Sequence, residues 1–408
     1  MAIIPNNTQF IGDTTGIPIQ EKRSAQVNAL STPFTMADII QTVGVGDITG
    51  SGTIDKVPKF ISSGVLADGL LNDNGASVWN TGSGTGLYNT AFGSSALISS
   101  TTGFLNTAFG HESMKTNTIG SYNTALGFGS LFSNTTGGAN VANGYKALYD
   151  NTTGNYNTAN GYEALSNNTI AEFNCAYGYQ ALFLNTIGNY NTAIGTYSLI
   201  NNTASKNTAV GYNSLPANTT GTNNTALGYQ SLLFNVTGNS NTSVGLTSLF
   251  RNTTGSNNTA IGIESLYNNQ TGTANTAVGQ WSLYNNTASN NVAVGAEAAF
   301  SNTSGTGVTA IGYQALKVST GNNNTANGYQ ALFSNTTGVN NTALGNNTQS
   351  GNFSGSTILG KDATATGNNQ FVVGSAGVIA GAVTVTAAPQ AKVWNVVING
   401  VAEQILLA

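Results

Sequence analysis

NTALGYQSLLFNVTGNS (residues 224–240) runs directly into NTSVGLTSLFRNTTGSN (241–257) and then NTAIGIESLYNNQTGTA (258–274). Self-similarity at a short fixed period marks units that stack on one another, so it decides the fold before any other feature. Outward from this stretch, the phrase begins at Asn89, Asn106, Asn123, Asn140, Asn157, Asn174, Asn191, Asn207, Asn224, Asn241, Asn258, Asn275, Asn291, Val308, Asn324 and Asn341. That makes 16 copies, 17 residues apart with three steps of 16. The consensus is N-T-A-h-G-x-x-[AS]-L-x-x-N-T-T-G-x-x, with h mostly apolar.

Comparison of the copies shows what each place demands. The fifth-place Gly is present in all 16, from Gly93 to Gly345; glycine is required where φ is positive or backbones approach closely. The third-place Ala gives way once, to Ser243, so something packs tightly against it. The ninth-place Leu becomes Met114 and Ala299 and is lost only at Gln349, which marks it as the core residue. The second-place Thr is replaced only by Val141, Cys175 and Val292, which keep its size and drop its hydroxyl. That pattern predicts a buried or half-buried side chain. The fourth place mixes Ile, Val, Leu and Phe with Asn143, Asn160 and Asn327, and no face is assigned to it.

A copy is too short to fold alone. It reads as one strand (N-T-A-h-G), a short turn or helical kink (x-x-[AS]-L) and a polar N-T-T-G turn, where Asn, Thr and Gly satisfy the backbone through side-chain bonds and permissive φ. Stacked copies pair each strand with its neighbours and line the leucines into one core. The first-place Asn, present in 15 of 16 copies, then forms a ladder of amides, each bonding the next. The expected fold is all-β, an elongated β-solenoid or β-roll fibre of 16 repeats. At a strand spacing of about 4.8 Å these make a rod of roughly 75 Å.

Composition narrows the functional classes. Of 408 residues only 6% are charged, against about 25% in ordinary soluble domains; Asn (58) and Gly (51) dominate. Net charge is −4, and the 11 Lys and Arg are scattered. Nucleic-acid binding needs them clustered, so no nucleic-acid partner is expected. The single Cys175 excludes an intrachain disulfide framework. It occupies a repeat Thr slot and reads as a small apolar filler. MAIIPNNTQFIGD has neither a basic start nor an apolar run, so no signal peptide is expected. No stretch has the length of a membrane-spanning helix, so no membrane insertion is expected either.

Four regions follow. Residues 1–50 form an N-terminal attachment region, with a helix candidate after Thr35, its N-cap, over 36–40. Residues 51–85 are a short β linker or neck punctuated by Gly and Ser. Residues 86–356 are the repeat shaft. Residues 357–408 form a C-terminal β tip and trimerisation region. It opens on STILGKDATATGNNQFVVGSAG, a different and shorter coil type. It ends on KVWNVVINGVAEQILLA, where Asn399-Gly400 between β-prone runs predicts a hairpin.

The NTAxGxxSL repeats followed by ATATGNNQFVVGS resemble the head repeats of YadA-type trimeric autotransporter adhesins. Those repeats stack as short coils into a parallel β-roll, three chains side by side. The start MAIIPNNTQFIGD and the segment VPKFISSGVLADGLLNDNGASV resemble bacteriophage tail-fibre proteins. The resemblance implies a homotrimer that lies in a virion as a tail or other external fibre and is made in the host cytoplasm. It joins baseplate, tail or neck proteins through its N-terminus and meets a host cell-surface glycan or protein. Neither the signal peptide nor the membrane-anchor strands of the adhesins is expected here, which favours a virion fibre over a surface adhesin.

Candidate chemistry is sparse. Glu112, Glu163, Glu264 and Glu297 each lie two places after the repeat Gly, in coils that are not adjacent. Glu163 and Glu264 are six coils apart, roughly 29 Å at the strand spacing. No carboxylate pair, catalytic residue, metal site or cofactor is therefore expected, and His111, the only His, reads as an exposed residue in the sixth-place slot. Tyr145, Tyr162, Tyr179, Tyr212, Tyr229, Tyr313 and Tyr329 follow the repeat Gly. The first three fall in consecutive coils and predict a stacked ladder. Tyrosine offers an apolar face and a hydroxyl suited to sugar, so this row is the candidate glycan contact; packing along the solenoid or a trimer seam is the competing role. A second aromatic row after the core Leu (Phe132, Tyr149, Phe183, Phe250, Tyr267, Tyr284, Phe300, Phe333) is expected to be buried. The recurrent N-x-T triplets serve the turn rather than glycosylation.

These observations point to a non-enzymatic fibre of a phage virion, mediating host attachment as a tail fibre. The alternatives are a capsid or neck fibre, a bacterial trimeric surface adhesin, a polysaccharide depolymerase spike, and an ice-binding solenoid built on the Thr array.

Overall fold

The computed structural model describes residues 88–374 in full, and the flanking strands 56–61, 65–73, 78–80, 393–398 and 401–406 by their backbone pairing. The helix candidate after Thr35 lies outside the described residues. The chain divides into two compact units, Met1–Thr203 and Ala204–Ala408. Each is a parallel β-solenoid, and no helix occurs among the described residues.

The first unit opens with β1 (Lys56–Ile61), β2 (Val65–Asp73) and β3 (Val78–Asn80), paired antiparallel in sequence. β3 then joins β4 (Thr90–Phe92) in parallel. This ribbon covers the edge of the first coil, which would otherwise present unpaired backbone groups. From β4 onward each coil contributes one three-residue strand: β5 (Thr107–Phe109), β6 (Thr124–Leu126), β7 (Val141–Asn143), β8 (Thr158–Asn160), β9 (Cys175–Tyr177) and β10 (Thr192–Ile194). Pairing is parallel and in register, Thr to Thr and Ala to Ala.

The second unit repeats the plan from β11 (Thr208–Val210) through β12 (Thr225–Leu227), β13 (Thr242–Val244), β14 (Thr259–Ile261), β15 (Thr276–Val278), β16 (Val292–Val294), β17 (Thr309–Ile311), β18 (Thr325–Asn327) and β19 (Thr342–Leu344). Two strands of the shorter coil type, β20 (Thr357–Leu359) and β21 (Phe371–Val373), extend the same parallel ladder. The predicted C-terminal hairpin forms: β22 (Val393–Ile398) and β23 (Val401–Leu406) pair antiparallel, Ile398 opposite Val401, with only residues 399 and 400 between them.

The core is the same in every coil but the last, where Thr348 and Gln349 stand at the eighth and ninth places. The third-place Ala, the eighth-place Ala or Ser and the ninth-place Leu are fully buried, as in Ala226, Ser231 and Leu232. No helical kink forms at x-x-[AS]-L. The chain instead turns through left-handed residues: in one coil Gln230, Leu232 and Ser240 have φ of 52°, 53° and 55°. A non-glycine residue there costs about 1–2 kcal/mol. Packing and pairing offset this, because Leu232 N–H reaches the Ser248 carbonyl at 3.1 Å while its side chain enters the core. The fifth-place Gly is a different case. Gly228 sits at φ +133°, and a Cβ on it would run into the Gly245 carbonyl of the next coil.

Two buried amide ladders run through the turns and bond one coil to the next. The first was expected, but its main bond goes to backbone. Asn106 Oδ1 accepts the Asn123 N–H at 2.9 Å, and Asn106 Nδ2 donates to the Gly120 carbonyl at 2.8 Å. The second runs through the twelfth-place Asn of the N-T-T-G turn, side chain to side chain. Asn134 Nδ2 donates to Asn117 Oδ1 at 2.7 Å, and Asn151 Nδ2 to Asn134 Oδ1 at 2.8 Å. Buried amides are tolerated only when bonded in this way.

Candidate functional site

With Asn, Ala and Gly of the first, third and fifth places turned inward, the second, fourth and sixth places face outward by strand alternation. The sixth-place tyrosines stand on this outer side. Tyr145 and Tyr162 stack at 4.9 Å between ring centroids, Tyr162 and Tyr179 at 5.1 Å, with planes within 14°. The stack extends to residues the sequence left out of the row: Phe128 lies 5.4 Å from Tyr145, and His111 5.3 Å from Phe128. Tyr197 meets Tyr179 edge-on at 87°. Tyr212 stacks with Tyr229 at 5.5 Å, and Tyr313 with Tyr329 at 5.3 Å.

The tyrosines are exposed, from 38% at Tyr145 to 50% at Tyr329. Stacking nevertheless turns their faces toward one another. Edges and hydroxyls meet solvent, so the row is better suited to hydrogen bonding than to laying sugar rings on aromatic faces. Desolvation by the neighbouring rings, together with Tyr197, Tyr162 and Glu163, pushes the Tyr179 hydroxyl up, which keeps it a proton donor.

A second exposed aromatic stack was missed. Tyr156, Phe173 and Tyr190 occupy the place just before the Asn of the phrase, with centroids 4.9 and 5.1 Å apart. Its signal was an aromatic residue recurring at 17-residue spacing before N-T-A or N-C-A. The aromatic row after the core Leu is half-buried rather than buried: Phe250, Tyr267, Tyr284 and Phe300 stack at 4.9–5.1 Å along the flank, because the tenth place follows the left-handed Leu and turns outward.

The second-place Thr is half-buried in most strands, as expected, Cys175 among them, with the Ala that follows it fully enclosed. In the other strands it is exposed, and Val141 there is 41% exposed. Val and Cys substitute because the half-open position accepts their size. The fourth place shares the outer face, and Phe109, Leu227 and Leu344 are about half exposed.

Three of the carboxylates, Glu163, Glu264 and Glu297, tie one coil to the next, while Glu112 pairs within its own coil. Gln180 Nε2 donates to Glu163 at 2.7 Å, and Trp281 Nε1 to Glu264 at 2.9 Å. Glu297 takes Gln314 and Lys317, and Glu112 takes Lys115. Glu163 belongs to the first unit and Glu264 to the second. Among the described residues no cluster of His, Cys, Asp and Glu could hold a metal ion, and no helix is long and apolar enough to cross a membrane. Burial pushes the Cys175 thiol up, away from the reactive thiolate.

The class these coils define is the parallel β-solenoid repeat protein. No protein-family model, curated protein or solved structure matches the chain.

Proposed function

We propose that this chain is a non-enzymatic structural fibre of a phage virion, assembled as a homotrimer and mediating host attachment as a tail fibre. Residues 1–50 join it to other virion proteins. The coils supply length and stiffness, and the C-terminal region presents a surface to a host glycan or protein. The carrying observation is the pair of buried Asn ladders. They recur coil after coil in each unit, and with the carboxylate bonds they commit the polar side chains to holding one coil on the next. Such side chains do mechanical work. The resemblance of the repeats to trimeric β-roll heads, and of the N-terminal segments to phage fibres, supports the assignment.

Light scattering on the purified chain tests the assembly: a mass near three times 41.6 kDa is expected, and a monomer overturns it. Binding of the same material to bacterial cells, with blocking of phage adsorption, tests the attachment role. A failure to bind any phage-sensitive host overturns that role.

The outward Thr row beside an aliphatic row favours one second reading, ice binding, because both rows are regular and in register. Thermal hysteresis in a solution of the chain is its test.

A further inference from the structure

We propose that Tyr122 and Tyr156 are the two walls of a slot that binds one uncharged planar aromatic ring, of indole or phenol size, over a floor made by Ala139. The slot lies wholly within the first unit.

The slot is a gap in a regular row. At the place just before the phrase's Asn, successive coils carry Tyr122, Ala139, Tyr156, Phe173 and Tyr190. All five have φ between 55° and 62°, so the same backbone aims each side chain the same way. From Tyr156 on, rings fill the row, stacked at 4.9 and 5.1 Å with planes within 8°. Phe173 covers one face of Tyr156. The other face turns back toward Ala139, where the side chain ends at Cβ. Phe104, from the coil before, braces Tyr122 edge to face at 5.0 Å. The Ala139 coil keeps its place in the stack: Ala139 N–H reaches the Ser121 carbonyl at 3.0 Å, and Tyr156 N–H the Gly138 carbonyl at 3.1 Å. Tyr122 and Tyr156 therefore stand two coil spacings apart, roughly 10 Å. A ring inserted halfway lies about 5 Å from each, inside the range for aromatic pairs and at the spacing the row itself uses.

The gap is open and apolar. Tyr122 and Tyr156 are 57% and 58% exposed, and Ala139 is half-buried, so solvent reaches the floor. Gly138 beside it adds no side chain, and Val141, two residues on, stands where most coils carry Thr. The polar neighbours are already engaged. Asn155 Oδ1 accepts the Gly138 N–H at 2.8 Å, and Asn155 Nδ2 donates to Glu172 at 2.7 Å. Ser121 Oγ accepts the Phe104 N–H and donates to the Ile119 carbonyl. Recognition therefore falls to stacking and burial, which select a flat ring and penalise a charged one. Between Tyr88 and Tyr122 the same place holds Leu105, at φ 54°. This backbone thus accepts a larger side chain, and the small residue at 139 is not forced by it.

Titration of the full-length chain with indole and, separately, with N-acetyltryptophanamide tests the slot, with binding read by ligand-detected saturation-transfer NMR. Saturable binding of indole is expected. Tyr122→Ala and Tyr156→Ala should each weaken it about fivefold, the loss of one stacked pair. Ala139→Tyr completes the row and should abolish binding. Ala139→Leu, patterned on Leu105, should abolish it too and keeps the test intact where the tyrosine variant misfolds by circular dichroism. Binding of both probes supports a slot that takes an aromatic side chain as well as a free ring; binding of indole alone supports a slot for the free ring. Equal affinity in the wild type and Ala139→Leu overturns the proposal, as does the absence of saturable binding by either probe.

Discussion

Asn241 holds two coils at once: its Oδ1 accepts the Asn258 N–H at 3.0 Å, and its Nδ2 donates to the Gly255 carbonyl at 2.8 Å. Both ends of one amide are used, and the side chain is fully buried. Asn241→Ala leaves the Asn258 N–H without this acceptor, at about 1–3 kcal/mol. Asn241→Asp is expected to be worse, because it also sets a buried carboxylate against a carbonyl. Denaturant titration should rank wild type above Ala above Asp, and hydrogen exchange should quicken first at the Asn258 amide.

Leu249→Ala is expected to cost about 2–5 kcal/mol, the usual range for a truncated core leucine. Leu249 is fully buried at φ 49°, and alanine relieves none of the left-handed strain while it loses the packing. The natural Ala299 shows that a coil can close around the smaller residue. The variant should therefore fold, with a lower denaturation midpoint.

Gly228→Ala and Gln230→Gly separate two kinds of positive φ. At Gly228 the added methyl meets the Gly245 backbone, and φ +133° is closed to L-residues. Cooperative unfolding of that coil is expected, visible as a large loss of protected amides around 225–245. At Gln230, φ 52° already strains the side chain. Glycine there removes strain and adds unfolded-state entropy, so thermal denaturation should shift by less than about 1 kcal/mol.

Glu297 gives a pH signature. The Lys317 ammonium, together with the Gln314 amide, holds its carboxyl below the usual carboxylate range. Its stabilisation is present above the unfolded-chain value of about 4.3. It is lost as pH falls through the lower folded value, when the carboxyl protonates and releases Lys317. Glu297→Gln should be less stable than wild type at pH 6, and the gap should close toward pH 3.

Much of this architecture was legible. Fixed Gly at the fifth place, near-fixed Ala at the third and Leu at the ninth identified a stacking unit and its core, and Asn399-Gly400 identified the hairpin. The first Asn row read as a ladder because Asn recurs there without a helix or charge partner. The second, at Asn134 and Asn151, was hidden inside a phrase that also reads as an ordinary polar turn. The stack of Tyr156, Phe173 and Tyr190 was missed because aromatics hold that place in the first unit and Asn, Ser or Gly mostly hold it in the second; averaging over copies erased it. The left-handed leucines left no trace, since no side-chain propensity codes for φ near 50° at Leu.

The sequence by itself determined period, core and pairing register, because each depends on identical residues meeting identical residues at a constant spacing. Only the tertiary structure decided which rows face out and how the aromatic rings present themselves. Strand alternation places Thr225 and Leu227 on one side and Ala226 on the other, but which side is enclosed depends on how the turns close the coil. The tertiary spacing between coils then brings Tyr145, Tyr162 and Tyr179 face to face, turning an apolar row into a line of ring edges and hydroxyls.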